Sequence, residues 1–186
     1  MKITAVRHGQ TTGNLSRIVE SRLGGQLTQT GIDQAVSLAE KLKNEHFGAI
    51  YCSTLQRCID TASYIRKYHV DTPFSTYDEL RELDKGTYNG GPWSDLPEYI
   101  HTETYINQAF PDGESWMDMA KRIGPLLDMI YQEGHQHILI VAHDGTLKVM
   151  QSLLENVPLA IAIQTTYENA TAYIWEMDQP LPQVAE

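Results

Sequence analysis

The chain has 186 residues, of which 41% are hydrophobic and 20% charged, a composition that predicts an ordinary globular domain over residues 1–186. The formal net charge of −10 argues against nucleic acid and anionic membranes as partners, because both need a broad basic face. Since there is neither a signal-peptide pattern nor an apolar run near the roughly 18 residues of a membrane span, we expect a cytoplasmic protein that does not enter the membrane.

The first half of the chain alternates predicted strands with predicted helices. A β-rich run ends at His8, and a loop rich in Gly, Thr and Asn follows through about Leu27. Apolar residues at helical spacing then predict helices over about 29–44 and 54–68, with a strand at 48–52 between them. This β-α-β-α order predicts an α/β fold, a three-layer α/β/α sandwich with a mostly parallel central sheet.

The second half contains a long connection between predicted elements. Residues 81–111 are rich in Gly, Pro, Asn, Asp and aromatic residues, which is typical of a lid or a binding loop and equally of a surface excursion. Regular elements are predicted on both sides of it: a short strand at 73–77, a helix at about 115–133, a strand at 137–142, a helix at 145–155 and a last strand near 168–176.

Two predicted strands are similar in sequence. Residues 3–9 read ITAVRHG and residues 139–145 read LIVAHDG, so that each apolar run reaches a histidine, His8 or His143. Ligands of parallel sheets bind beyond the carboxyl ends of the strands. If the two strands are neighbours, about 4.8 Å apart, both imidazoles lie in one pocket, which favours an active site over a core position.

The residues around the first histidine indicate phosphoryl transfer. A neutral imidazole is a competent nucleophile toward phosphorus, and the guanidinium of Arg7 offers a fork of donors that matches phosphate oxygens. Arg57 stands at the start of the helix predicted over about 54–68, where a cation is poorly placed for the helix dipole and where a bound anion would compensate. A solvated arginine explains Arg57 equally well, and His8 could also be a structural donor at a strand end.

Five separate blocks of the chain match a known family in order. They are Arg7-His8-Gly9 with Thr11 and Asn14; Leu27-Thr28 with Gly31 and Gln34-Ala35; residues 53–62; Leu80-Arg81-Glu82 with Gly86; and Val141-Ala142-His143, preceded by residues 111–115 (PDGES). Over nearly its whole length the chain resembles the histidine phosphatase superfamily, the phosphoglycerate-mutase-like enzymes. The resemblance implies a phosphoglycerate-mutase-like fold.

The resemblance also implies a role for each matching side chain. His8 would be the nucleophile that becomes phosphohistidine, and Glu82 would protonate the leaving oxygen and then activate water. The phosphoryl group would be bound by Arg7, Asn14, Arg57 and His143. The residues alone leave a second interpretation of Glu82 open, because it lies in the charged stretch 78–85, where most carboxylates face solvent.

The chain departs from the family pattern at positions that bear on the substrate. Residues 21–28 read SRLGGQLT where relatives often show Gly-Arg-x-Asp-x-Pro-Leu-Thr, so Ser21 and Arg22 are candidate substrate contacts in an altered loop. Asp144 stands where Gly is common after the second histidine, and Asp112 replaces a Gly in the Pro-Gly-Gly-Glu-Ser block. Both differences predict an additional carboxylate near the site, and Asp144 is a candidate substrate contact.

We therefore predict hydrolysis of phosphomonoesters of a small phosphorylated metabolite through a phosphohistidine intermediate. No cluster of Asp and His stands at metal-ligand spacing, so we expect neither a metal nor another cofactor. Two alternatives stay open: a mutase, although mutases of this type resemble longer chains with segments that enclose the substrate, and a non-catalytic module that binds a phosphorylated ligand. The physiological substrate is left open, and a homodimer is the default expectation for the oligomeric state.

Overall fold

A five-stranded sheet forms the centre of the protein, in a computed structural model that describes residues 1–97 and 104–181. In chain order the strands are β1 (Lys2–Arg7), β2 (Ala49–Ser53), β3 (Phe74–Tyr77), β4 (His137–Ala142) and β5 (Ala172–Glu176). Their order across the sheet is β3-β2-β4-β1-β5, with β5 antiparallel to β1 and the other pairings parallel. The predicted α/β fold with a mostly parallel sheet is confirmed.

Helices of different lengths connect these strands. In chain order they are α1 (Thr12–Ser16), α2 (Gln29–Leu42), α3 (Gln56–Arg66), α4 (Thr104–Asn107), α5 (Trp116–Gln132), α6 (Asp144–Glu155) and α7 (Leu159–Ala162). Short 3₁₀ helices cover Asp78–Leu80, Gly86–Tyr88 and Trp93–Asp95. The long helices α2, α3, α5 and α6 agree with their predicted ranges to within two residues at each end.

Alternate residues of the central strands point to opposite helical layers. In β1, Ile3 and Ala5 are buried in one apolar cluster with residues of α5 and α6, such as Ile123. Val6 is buried in a second cluster, together with Leu38 and other residues of α2 and α3. Because successive side chains of a strand point to opposite faces, the two clusters lie on the two sides of the sheet. The predicted three-layer sandwich is confirmed.

Two of the long helices begin at residues with capping side chains. The hydroxyl of Thr28 accepts a hydrogen bond from the N–H of Gly31 at 3.0 Å at the start of α2. Ser115 and Asp118 form a reciprocal capping box at the start of α5. Such caps satisfy backbone donors that have no partner inside the helix, and each typically stabilises a protein by about 1 kcal/mol.

The last strand is shorter than predicted. It begins at Ala172, because the chain turns just before it, with Ala170 in the left-handed region at a φ of 45°. The N–H of Ala170 donates to the carbonyl oxygen of Arg7 at 2.9 Å. This turn therefore closes over the carboxyl end of β1.

The predicted lid at 81–111 contains little regular structure in its described parts. Residues 81–97 include two of the 3₁₀ helices, and residues 104–111 include α4. Residues 98–103 of the predicted lid lie outside the described residues. Among the helices of the described ranges, none combines the length and the apolar character that crossing a membrane requires.

Candidate active site

Parallel pairing of β1 with β4 places the two histidines side by side. The register aligns Arg7 with Ala142, so that His8 and His143 are the next residues beyond the two strands. The N–H of His8 donates to the carbonyl oxygen of Ala142 at 3.0 Å, and the centroids of the two imidazole rings are 5.2 Å apart. The predicted proximity of the two imidazoles at the carboxyl edge of the sheet is confirmed.

A cavity of about 510 Å³ opens at this edge of the sheet. The predicted site residues in its wall are Arg7, His8, Asn14, Ser21, Arg57, Glu82 and Asp144. Apolar lining comes from Ile18, Val19, Trp93, Leu96 and Pro97. Within residues 1–97 and 104–181, no three His, Cys, Asp or Glu side chains are grouped so that they could hold a metal ion.

The ring of His8 is held with its proton on the nitrogen away from Arg57. Nδ1 lies 2.8 Å from the carbonyl oxygen of Gly9, so we assign it as the donor. Nε2 is then unprotonated, and its electron pair accepts a hydrogen bond from Nε of Arg57 at 3.2 Å. Burial, together with the charges of Arg57 and Arg7, lowers the pKa of His8 well below its usual value. Nε2 is therefore unprotonated near neutral pH, and it can act as a nucleophile once a phosphoryl oxygen replaces it as the acceptor of the Arg57 N–H.

Arg57 is almost fully buried beside the His8 ring. It is the second residue of α3, and its Nη1 and Nη2 donate to the carbonyl oxygens of Leu23 and Ser21, both at 2.7 Å. These carbonyl oxygens partly offset the unfavourable position of a cation at the start of a helix, an effect that the sequence analysis attributed to a bound anion alone. The structure thus contradicts the alternative of a solvated arginine.

Arg7 has a buried donor with no partner. Its Nη1 donates to the carbonyl oxygen of Tyr167 at 2.6 Å, whereas its buried Nε makes no hydrogen bond with the described residues. A buried donor without a partner costs roughly 1–3 kcal/mol. Because Arg7 lines the cavity, an oxygen of a bound phosphoryl group could satisfy this donor.

The carboxyl group of Glu82 is fixed in the cavity wall by backbone donors. Oε1 accepts from the N–H of Leu83 at 2.7 Å, and Oε2 accepts from the N–H of Gly145 at 3.2 Å, in the first turn of α6. A Cβ at position 145 would overlap Oε1 of Glu82, so a larger residue there would displace this carboxylate. Glu82 is half-buried, so the structure favours a positioned group over a freely solvated carboxylate.

His143 lies behind His8 and not on the cavity surface. Its side chain is fully buried and is not part of the described lining. Nε2 lies 2.8 Å from Oγ of Ser53 and 3.4 Å from Sγ of Cys58. Burial and the charge of Arg57 lower the pKa of His143 well below its usual value. A contact of His143 with a phosphoryl oxygen therefore stays a prediction.

The sequence that forms this site matches the profile of a known family. The profile described as histidine phosphatase superfamily (branch 1) matches residues 3–186. The chain belongs to the histidine phosphatase superfamily.

Several relatives in the histidine phosphatase superfamily are named phosphatases. A Hydrogenobacter thermophilus protein provisionally named phosphoserine phosphatase 2 is 31% identical over 165 residues, which are 85% of this chain and 80% of that protein. An Arabidopsis thaliana protein named metal-independent phosphoserine phosphatase is 30% identical over 158 residues, 80% of this chain and 66% of that protein. The solved structure of a mycobacterial glucosyl-3-phosphoglycerate phosphatase matches with a TM-score of 0.82 at 25% identity, covering 93% of this chain and 88% of that one.

Three further predicted contacts line the cavity of this histidine phosphatase superfamily member. Asn14 accepts from the N–H of Thr11 at 3.2 Å through Oδ1. Ser21 has a left-handed backbone with a φ of 43°, and its hydroxyl donates to the carbonyl oxygen of Leu83. Asp144 accepts from the N–H of Tyr167 at 3.1 Å. Asn14, Ser21 and Asp144 thus stand in the same cavity as His8.

Two other predicted positions stand apart from the described lining. Nη2 of Arg22 donates to Oε1 of Glu114 at 2.9 Å, and the same carboxylate binds Nη2 of Arg122 at 2.7 Å. Arg22 is therefore held in an ion-pair network outside the cavity wall. Asp112 is exposed in a turn with a φ of 57°, and its carboxylate does not line the cavity, in contrast to that of Asp144.

Four polar residues of the cavity wall were missing from the sequence prediction. They are Glu20, Lys85, Lys148 and Thr166. Nζ of Lys148 lies 2.7 Å from Oδ2 of Asp144, four residues earlier on α6, and this spacing was a usable signal. The other three residues carry no comparable signal, because only the folding of their loops brings them to the site.

The buried histidines predict that mild acid destabilises the histidine phosphatase fold. The unfolded chain takes up protons on histidine near pH 6.5, whereas burial keeps His8 and His143 neutral in the folded state. The unfolded state therefore binds more protons, and the free energy of unfolding should fall below about pH 6.5 by about 1.4 kcal/mol per pH unit for each histidine. His69 and His137, whose pKa values burial also lowers, act in the same direction.

Urea denaturation between about pH 7.5 and 5.5 measures this dependence. In the His8→Asn variant, the free energy of unfolding should depend less steeply on pH, by the contribution of one histidine. A free energy of unfolding that is constant over this range, or a slope that His8→Asn leaves unchanged, would contradict the neutral state of His8.

Proposed function

We propose that this chain hydrolyses phosphomonoesters of small metabolites through a phosphohistidine on Nε2 of His8. The observation that carries the proposal is the geometry of His8 in the cavity wall, where Nδ1 lies 2.8 Å from the Gly9 carbonyl oxygen and Nε2 lies 3.2 Å from Nε of Arg57. Membership of the histidine phosphatase superfamily and the names of the relatives support hydrolysis as the reaction.

In the first step, Nε2 of His8 attacks the phosphorus atom, and the bond from phosphorus to the leaving oxygen breaks. Glu82 gives its proton to that oxygen, so that a neutral alcohol leaves. The guanidinium groups of Arg7 and Arg57 stabilise the charge on the equatorial oxygens. Each well-placed donor of this kind contributes roughly 3 kcal/mol to the stability of the transition state.

In the second step, water attacks the phosphohistidine, and Glu82 takes the proton that water releases. The bond between phosphorus and Nε2 breaks, inorganic phosphate leaves, and His8 returns to its neutral state. Protein side chains supply the nucleophile, the acid, the base and the positive charge. No step in this scheme calls on a metal ion, in line with the name of the Arabidopsis thaliana relative.

Hydrolysis of 4-nitrophenyl phosphate tests this proposal directly. We expect equal amounts of 4-nitrophenol and inorganic phosphate, at a rate that EDTA leaves unchanged. With 3-phosphoglycerate as a second probe, hydrolysis gives glycerate and inorganic phosphate, whereas a mutase gives 2-phosphoglycerate. A non-catalytic module would bind inorganic phosphate but release none from either ester, and that result would contradict the proposal.

A further inference from the structure

The cavity contains a positive charge that the proposed reaction does not use. Lys85 and Lys148 both line it. Lys148 is neutralised by Asp144, whose Oδ2 lies 2.7 Å from Nζ. The ammonium group of Lys85 makes no hydrogen bond or ion pair with the described residues, so its donors are free for a ligand.

The backbone of Lys85 is fixed at the start of a 3₁₀ helix. Its N–H donates to the buried hydroxyl of Ser21 at 3.1 Å, and its carbonyl oxygen accepts from the N–H of Tyr88 at 3.1 Å. These contacts hold Lys85 three residues after Glu82, in the wall of the same cavity. The position of the Lys85 backbone in the cavity wall is therefore fixed by hydrogen bonds.

Lys85 carries its charge in the same cavity as the proposed reacting groups. Burial lowers the pKa of Lys85, and the carboxylate of Glu82 is the strongest of the charges that oppose this shift. The Lys85 side chain is half-buried in the cavity wall, and an ammonium group there without a partner gains from an anionic ligand. The overall charge of −10 repels anionic ligands, and the positive charge of Lys85 opposes that repulsion inside the cavity.

The position of Glu82 shows which part of a substrate Lys85 would meet. A general acid must lie beside the oxygen of the leaving alcohol. Lys85 follows that acid by three residues and lines the same cavity, whereas Arg57 contacts His8 at the phosphoryl side. We propose that Lys85 binds a second anionic group, a carboxylate or a second phosphate, on the alcohol portion of the substrate. This inference rests on the proposed function, because the role of Glu82 defines the leaving-group side.

Three esters with one carbon skeleton test the inference. Glycerol 3-phosphate has no second anionic group, 3-phosphoglycerate adds a carboxylate, and glycerol 1,3-bisphosphate adds a phosphate. We expect the wild-type protein to hydrolyse at least one doubly anionic ester with a higher kcat/KM than glycerol 3-phosphate. Lys85→Met should lower that preference about tenfold, the usual effect of losing a charged hydrogen bond. Lys85→Arg should retain most of it.

The matched control is Lys121→Met, which removes one positive charge from an exposed position of α5 and should leave the preference unchanged. The ester whose advantage Lys85→Met removes identifies the anionic group as a carboxylate or a phosphate. If Lys85→Met lowers kcat/KM equally for all three esters, or leaves the preference unchanged, the inference is wrong.

Failure of the proposed function would be recognised separately. If the wild-type protein releases phosphate from none of the three esters, hydrolysis is wrong, and binding of the same esters by calorimetry then decides the role of Lys85. A loss of affinity in Lys85→Met that is about tenfold larger for the doubly anionic esters supports the inference. An equal loss for all three contradicts it.

Discussion

The His8→Ala variant is expected to lose phosphatase turnover by on the order of 10⁴-fold or more, because it removes the atom that accepts the phosphoryl group. Arg7 and Arg57 stay in place, so the variant should still bind inorganic phosphate. The Arg57 guanidinium keeps its bonds to the carbonyl oxygens of Leu23 and Ser21, which hold it without help from His8. The expected result is therefore a loss of kcat that is far larger than any loss of phosphate affinity.

Turnover of 4-nitrophenyl phosphate and calorimetry with inorganic phosphate measure the two quantities. The matched control is His46→Ala, which removes an exposed imidazole outside the described lining of the cavity and should leave both unchanged. If His8→Ala keeps kcat within about tenfold of the wild type, another group is the nucleophile and the phosphohistidine pathway is wrong.

The position of the two histidine strands illustrates what local sequence can predict. Both strands were recognisable as apolar runs, and residues 138–142 of β4 are indeed fully buried. Strands buried on both faces carry no alternation of polar and apolar residues that would specify a neighbour. The order in which β4 lies between β2 and β1 depends on the packing of the whole sheet. The residues alone therefore predicted a shared pocket only if the two histidine strands were neighbours. The resemblance to the family then implied that both histidines lie at one site.

Arg57 shows a different limit of sequence reasoning. Its place at the start of a helix was predicted, and so was its proximity to the site. Its partners, the carbonyl oxygens of Ser21 and Leu23, lie in a loop that folds back through left-handed residues at Arg17 and Ser21. Neither position carries the glycine that usually signals such a turn, so the loop conformation left no clear trace in the sequence.

The charged residues of the site show why composition is a weak guide to burial. Lys85 stands in a charged stretch that is typical of a solvated surface, yet it lines the cavity. Arg22 stands next to Ser21 in a predicted substrate loop, yet its guanidinium is bound by Glu114. In both cases tertiary structure decides where a long flexible side chain lies, and spacing along the chain does not encode that direction.

The Glu82→Gln variant is expected to distinguish substrates by the basicity of the leaving oxygen. An alkoxide is a poor leaving group without a proton, so kcat/KM for alkyl phosphates should fall by about 10²–10⁴-fold. The phenolate of 4-nitrophenyl phosphate leaves without a proton, and its kcat/KM should fall much less. Because kcat/KM reports the steps through phosphoryl transfer to His8, it isolates the acid role from the later base role.

The base role of Glu82 should appear in the same variant as a slow second step. If water attack on the phosphohistidine becomes rate-limiting, mixing with 4-nitrophenyl phosphate should give a burst of 4-nitrophenol close to one equivalent per enzyme. The matched control is Glu79→Gln, an exposed carboxylate in the same charged stretch, which should change neither quantity. An equal fall of kcat/KM for alkyl and nitrophenyl esters would mean that Glu82 only positions the N-terminus of α6 through Gly145, and it would refute the acid role.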